Sequence, residues 1–117
     1  MKQNKLLTLS QDFAVLIIEL SNQLKDNKEL SISSQIKRSG TSISANIAEG
    51  NHPQSRADMI SKFEIALKEA NETENWLWVI FKSNLIDEKQ FKFYHKKLVQ
   101  LKIMLIKSIK TLKSGTT

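Results

Sequence analysis

The side chains able to do acid–base, metal or nucleophilic chemistry in this 117-residue chain are two histidines, twelve carboxylates and a cluster of serines; cysteine is absent. Their spacing supports none of these chemistries. Carboxylate metal centres in helical proteins need Glu-x-x-His pairs projecting from facing helices, whereas His52 stands before Pro53 and His95 has Lys92 three positions earlier. Each histidine reads as a surface or cap residue. The serines come without a Gly-x-Ser-x-Gly elbow or a Ser/His/acid arrangement, and no Walker or Rossmann glycine pattern occurs. The lack of thiols removes disulfides, thiolate zinc sites and cysteine nucleophiles, which fits the cytoplasm. The chain is therefore expected to be no enzyme and to hold neither cofactor nor metal, a composite site between subunits being the one remaining route to catalysis.

What the chain does concentrate is positive charge. It carries 18 Lys+Arg against 12 Asp+Glu, a net +6. Residues 1–88 hold 10 Lys+Arg and all 12 acids, a balance of −2, while residues 89–117 hold eight lysines and no acid, +8. On a helical wheel Lys89, Lys92, Lys96, Lys107 and Lys110 fall within roughly 60°. Such a ridge attracts a phosphate backbone in a salt-sensitive, sequence-tolerant way, and lysines without arginines favour backbone contact over base readout. The competing reading is a solvated face, or one paired with the acidic segment holding Asp58, Glu64, Glu69, Glu72 and Glu74.

The elements that position this ridge are helical. One proline and three glycines leave long stretches uninterrupted. Leu9, Phe13, Leu16, Ile17, Leu20 and Leu24 share one helical face with Ser10 as N-cap, predicting a helix over 9–27. Ile32, Ile36, Ile43 and Ile47 predict a second over 32–49, stopped by Gly50 just beyond its end. Its other side carries Ser34, Thr41, Ala45 and Ala48, small enough for a neighbouring helix to approach closely. Its β-branched and serine residues are poor helix formers, so it should be a buried, central helix stabilised by packing. Ser55 and Asp58 cap a third helix over 56–83, with Met59, Phe63, Ala66, Ala70, Thr73, Leu77 and Ile80 on one face. Asp87 and Gln90 open a fourth over 88–113, whose core stripe runs Phe91, Tyr94, Leu98, Leu101, Leu105 and Leu112. Four helices with short connections predict one domain over 1–117, an all-α antiparallel up-and-down four-helix bundle. Neither a secretory signal nor a membrane span of roughly 20 apolar residues is expected, and no membrane partner, because the apolar face of the basic helix is needed by the bundle.

Apolar residues are left over once that core is filled. Trp76 to Phe81 are six consecutive apolar positions, which point all round a helix, and Phe93, Val99, Ile103 and Ile106 lie off the main stripe of the fourth helix. Trp76, Trp78, Phe81, Phe93, Val99, Ile103 and Ile106 are thus expected at an interface between copies in a closed symmetric ring or dimer. Asn46 and Glu49 lie on a helix expected to be buried, where polar groups need partners. With Gln35 and Arg38 they are expected to form a polar network that sets helix register.

The string Gln35-Ile36-Lys37-Arg38, then Ser42-Ile43, then Asn46-Ile47-Ala48-Glu49-Gly50 resembles the signature of the four-helix bundle proteins of the 23S rRNA-intervening-sequence type. Ile65-Ala66-Leu67-Lys68-Glu69-Ala70-Asn71-Glu72-Thr73-Glu74 with Trp76-Leu77 resembles the second block of the same bacterial family. The resemblance implies a cytoplasmic up-and-down bundle that assembles as a homopentameric ring. It also implies similarity to the accessory protein of diversity-generating retroelements, a basic pentamer that binds nucleic acid and a reverse transcriptase. The sequence is thus expected to encode a self-assembling, non-enzymatic module with a basic surface for RNA, DNA or a ribonucleoprotein partner. The other expectation is a structural or protein-interaction scaffold with no nucleic-acid binding.

Overall fold

Helical periodicity and short polar connections resolve into four helices and no strand among the described residues. The computed structural model describes residues 2–115, with side chains from Lys5 onward. The helices are α1 (Lys2–Asp26), α2 (Leu30–Gly50), α3 (Arg56–Lys82) and α4 (Glu88–Lys113). Each packs on its neighbours in chain order and α4 returns against α1, leaving α1/α3 and α2/α4 as the diagonals of an up-and-down four-helix bundle. One core runs through all four, with Phe13, Ile43, Phe63 and Leu98 among its fully buried side chains.

Two expected caps are in place. The Ser55 hydroxyl accepts from the Asp58 amide at 3.0 Å, and the Asp87 carboxylate accepts from the Gln90 amide at 2.8 Å. Each satisfies one of the amides a helix start leaves unpaired. Ser10 is no cap. Helix α1 starts seven residues earlier than position 9, because Leu6 is fully buried and carries the apolar stripe back another turn. Ser10 is buried inside that helix and its hydroxyl donates to the Leu7 carbonyl at 2.8 Å, an internal partner that lets a serine sit in the core.

Helix α1 ends with Lys28 at φ 67° and α3 with Asn84 at φ 62°. In both, the next residue's amide reaches back across the turn, Glu29 to the Leu24 carbonyl at 2.9 Å and Leu85 to the Ile80 carbonyl at 3.1 Å. These are the left-handed helix stops usually made by glycine. Gly50 has another job. It lies inside the last turn of α2, where a Cβ would stand 2.6 Å from Cε1 of Phe63, so it lets α3 cross closely.

The close-packed side of α2 also differs from expectation. Ser34 and Ala45 are exposed and Thr41 and Ala48 only half-buried, so that face looks outward. The small residues that admit neighbours are interleaved with the isoleucines. A Cβ on Gly40 would stand 2.6 Å from Cγ2 of Ile17 in α1, and Ser33 Oγ donates to the Ser21 carbonyl at 2.7 Å. On the other flank the Ser39 and Thr73 hydroxyls lie 2.9 Å apart. Helix α2 is therefore clasped between α1 and α3, with one face open.

Candidate nucleic-acid and assembly surface

The α4 core stripe turns Lys89, Lys92, Lys96, Lys107 and Lys110 away from the bundle, and all five are exposed. Lys92 pairs with Glu88 one turn back at 3.3 Å, an exposed contact worth little. The other four make no ion pair among the described residues. Of the acids of α3, Glu64 and Glu74 are met by other residues, on the flank of α4 that faces α3. Glu74 accepts from Lys102 at 2.7 Å and lies 2.8 Å from Nε2 of His95, and Lys113 meets Glu64 at 2.7 Å. The hydrogen bond from Lys102, then that from His95, outweigh burial and hold Glu74 below the usual carboxylate range.

The ridge is interrupted. Between Lys96 and Lys107 the same face carries Val99, Ile103 and Ile106, and Ile103 is 50% exposed. Positions four and seven apart share a helix face, so an apolar stripe sits between two groups of lysines. Treating lysines and leftover apolar residues as separate features conceals this overlap.

The aromatic residues do not form one patch with that stripe. Trp76 looks toward α2, half-buried, its Nε1 donating to Glu72 at 3.3 Å. Trp78 looks toward α4 and stays partly exposed, its ring 4.5 Å from that of Phe91. Phe81 stacks on Phe91 at 4.7 Å and is partly covered, and Phe91 stacks in turn on His95 at 5.0 Å. Phe93 is exposed on the α1 side of α4, with the Lys97 ammonium 5.1 Å above its ring.

Of the four polar residues on α2, two reach another helix. The Arg38 guanidinium meets Glu69 at 3.2 Å and also Glu72, and Glu49 meets Lys62 at 3.3 Å. The hydrogen bond to Glu72 is the main reason that the Arg38 pKa is raised. Burial pushes Glu72 up, but hydrogen bonds from Arg38 and Trp76 hold it below its ordinary value. Asn46 stays within α2, its Nδ2 donating to the Ser42 carbonyl at 2.8 Å, and Gln35 is exposed without a cross-helix bond. The α2–α3 seam joins these Arg38 and Glu49 pairs to the buried Ser39 and Thr73 hydroxyls, both of which carried a sequence signal as polar residues within an apolar stripe.

His52 borders an open depression of about 530 Å³ shared with Glu49, Gln54, Asp58 and Lys62. No group of three or more His, Cys, Asp or Glu among the described residues is placed to hold a metal ion. No helix among the described residues is long and apolar enough to cross a membrane.

No curated protein matches the chain. A solved structure from Bacteroides thetaiotaomicron, described as a protein of unknown function from the S23 ribosomal protein family, is similar at 46% identity and a TM-score of 0.92. The match covers 95% of this chain and 100% of that one. The model of the 23S rRNA-intervening sequence protein family matches residues 2–107, from the start of α1 well into α4. With the family model matched over most of the chain and a neighbour of the same bundle fold at 46% identity, the chain belongs to the 23S rRNA-intervening sequence protein family.

Proposed function

We propose that the protein is a non-enzymatic, self-assembling bundle of the bacterial cytoplasm, working as a homopentamer, that offers the basic face of α4 to nucleic acid. RNA is the favoured ligand, free or within a ribonucleoprotein such as one built on a reverse transcriptase. One observation carries the reading: Lys89, Lys96, Lys107 and Lys110 are exposed, make no ion pair among the described residues, and share a face with Val99, Ile103 and Ile106. Free cations on one face release counterions from a phosphate backbone, and an exposed apolar stripe is the usual mark of a surface that meets another protein. The family name and the ribosomal name of the neighbour support RNA over DNA.

Fluorescence anisotropy with a structured RNA tests it. Affinity present at low salt and falling at least roughly tenfold between about 50 and 200 mM salt is expected, the fall that two phosphate contacts give and more contacts exceed. No binding at low salt, or binding indifferent to salt, overturns it. Light scattering tests assembly, which a mass of 13.4 kDa at every concentration overturns. The apolar stripe favours a second reading, a scaffold that assembles without nucleic acid, because a phosphate backbone has no use for it.

A further inference from the structure

The unpaired carboxylates of the bundle are confined to one helix and the turn that follows it. Among the described residues, the carboxylates with neither an ion pair nor a capping bond are Asp12, Glu19 and Asp26 on α1 and Glu29 in the turn after it. Asp12 and Glu19 flank Val15, which at 56% exposure is among the most exposed large apolar side chains, and Asp26 follows two turns beyond Glu19. Helix α4 presents the same pattern with opposite sign. Val99, Lys102, Ile103 and Ile106 are spaced three and four apart, as are the corners of a hole that receives one side chain of a facing helix. Lysines stand at both ends of that hole.

We propose that this hole takes Val15 of a second copy of the chain, so that α4 of one copy packs on α1 of the next. This deepens the self-assembly part of the function proposed above and rests on it. The two faces differ, so the contact is head-to-tail and every copy carries one of each, an arrangement that closes into a ring when the rotation between neighbours completes a circle. Within one chain α1 and α4 run antiparallel, Gln90 bonding Gln23 at 3.1 Å near one end of the pair. A ring whose axis lies along the bundle keeps that sense between neighbours.

The charges then fall into register. With Val15 opposite Ile103, a rise of about 1.5 Å per residue brings Asp26 level with Lys92, Glu19 within about 5 Å of the level of Lys96, and Asp12 within about 2 Å of that of Lys107. The seat claims these three lysines for carboxylates and leaves Lys89 and Lys110, beyond its two ends, for phosphate.

The test is sedimentation or light scattering of the full chain and four variants, each checked for helicity by circular dichroism. Val15→Arg and Ile103→Asp, at exposed positions, should each leave the fold intact and dissolve the assembly. Glu19→Lys and Lys96→Glu should each weaken assembly about tenfold or more, since a like charge across an interface is costly, and the two combined in one chain should restore it to within about threefold. Disassembly by Ile103→Asp but not by Val15→Arg overturns the inference, because the stripe then meets some other face. So does a double reversal weaker than either single one. A wild-type chain that stays at 13.4 kDa at all concentrations removes the self-assembly reading itself.

Discussion

Ser39 of α2 and Thr73 of α3 face each other across the bundle with their hydroxyl oxygens 2.9 Å apart, both fully buried. Each hydroxyl also has a carbonyl within reach one turn back, Glu69 for Thr73 at 2.8 Å and Ile36 for Ser39 at 3.4 Å, so every proton in the pair has an acceptor. A buried hydroxyl stripped of its partner costs more than the pair contributes. Thr73→Val should therefore lower stability by about 1–2 kcal/mol, and adding Ser39→Ala should recover most of that loss. Urea denaturation of the four members of the cycle measures it; additive losses would mean that the pair is not coupled.

The two glycines of α2 should not tolerate a methyl group. Gly40→Ala meets Ile17, a branched side chain packed in the core, and should cost about 1–3 kcal/mol by overpacking. Ala45→Leu, on the open face of the same helix, should change the thermal midpoint little. Equal effects at the two sites would reverse the assignment of the packed and open faces.

Acid should loosen the α3–α4 seam through Glu74. Its carboxyl titrates lower in the folded chain than unfolded, first because Lys102 donates to it. Its contribution is therefore complete above the ordinary carboxylate range and fades as pH falls through the depressed folded value. Glu74→Gln should destabilise at about pH 7 and converge on the wild type once pH falls below the depressed folded value, read from urea midpoints along the pH series.

Lysines that differ only in location should differ in effect. Lys89→Ala and Lys110→Ala should each reduce the salt slope of RNA binding by about one, without changing stability. Lys102→Ala should do the reverse, leaving the slope and lowering the melting temperature, because its ammonium serves Glu74.

Periodicity is a local property, and it found the four helices, the Ser55 and Asp87 caps and the core phases of α3 and α4. It failed where a residue's meaning depends on the helix opposite. Gly50 looks like a terminator until Phe63 is placed against it, and Ser34 and Ala45 look like a packing face until Gly40 and Ser39 are seen to occupy that role. Ser10 misled because a serine before an apolar run matches a cap, while the buried Leu6 that overrules it precedes that run. The candidate surface was legible in part. Each set of residues on α4 was visible, but their interleaving, and the fact that the acids of α3 are already taken, required the packed bundle.

The clasp on α2 has a consequence for motion. Helices α1, α2 and α3 interlock through Gly40, Gly50 and the Ser39–Thr73 bond, whereas α4 meets α1 less closely, beside a gap of about 80 Å³ lined by Asp12, Leu16, Lys97 and Gln100. Helices held by fewer buried contacts open first in subglobal fluctuations. Amide protons of α4 should thus exchange with deuterium sooner than those of α2, although α2 has the poorer helix formers. The element that bears the free lysines is the one the fold holds least tightly, and whatever covers it will slow that exchange.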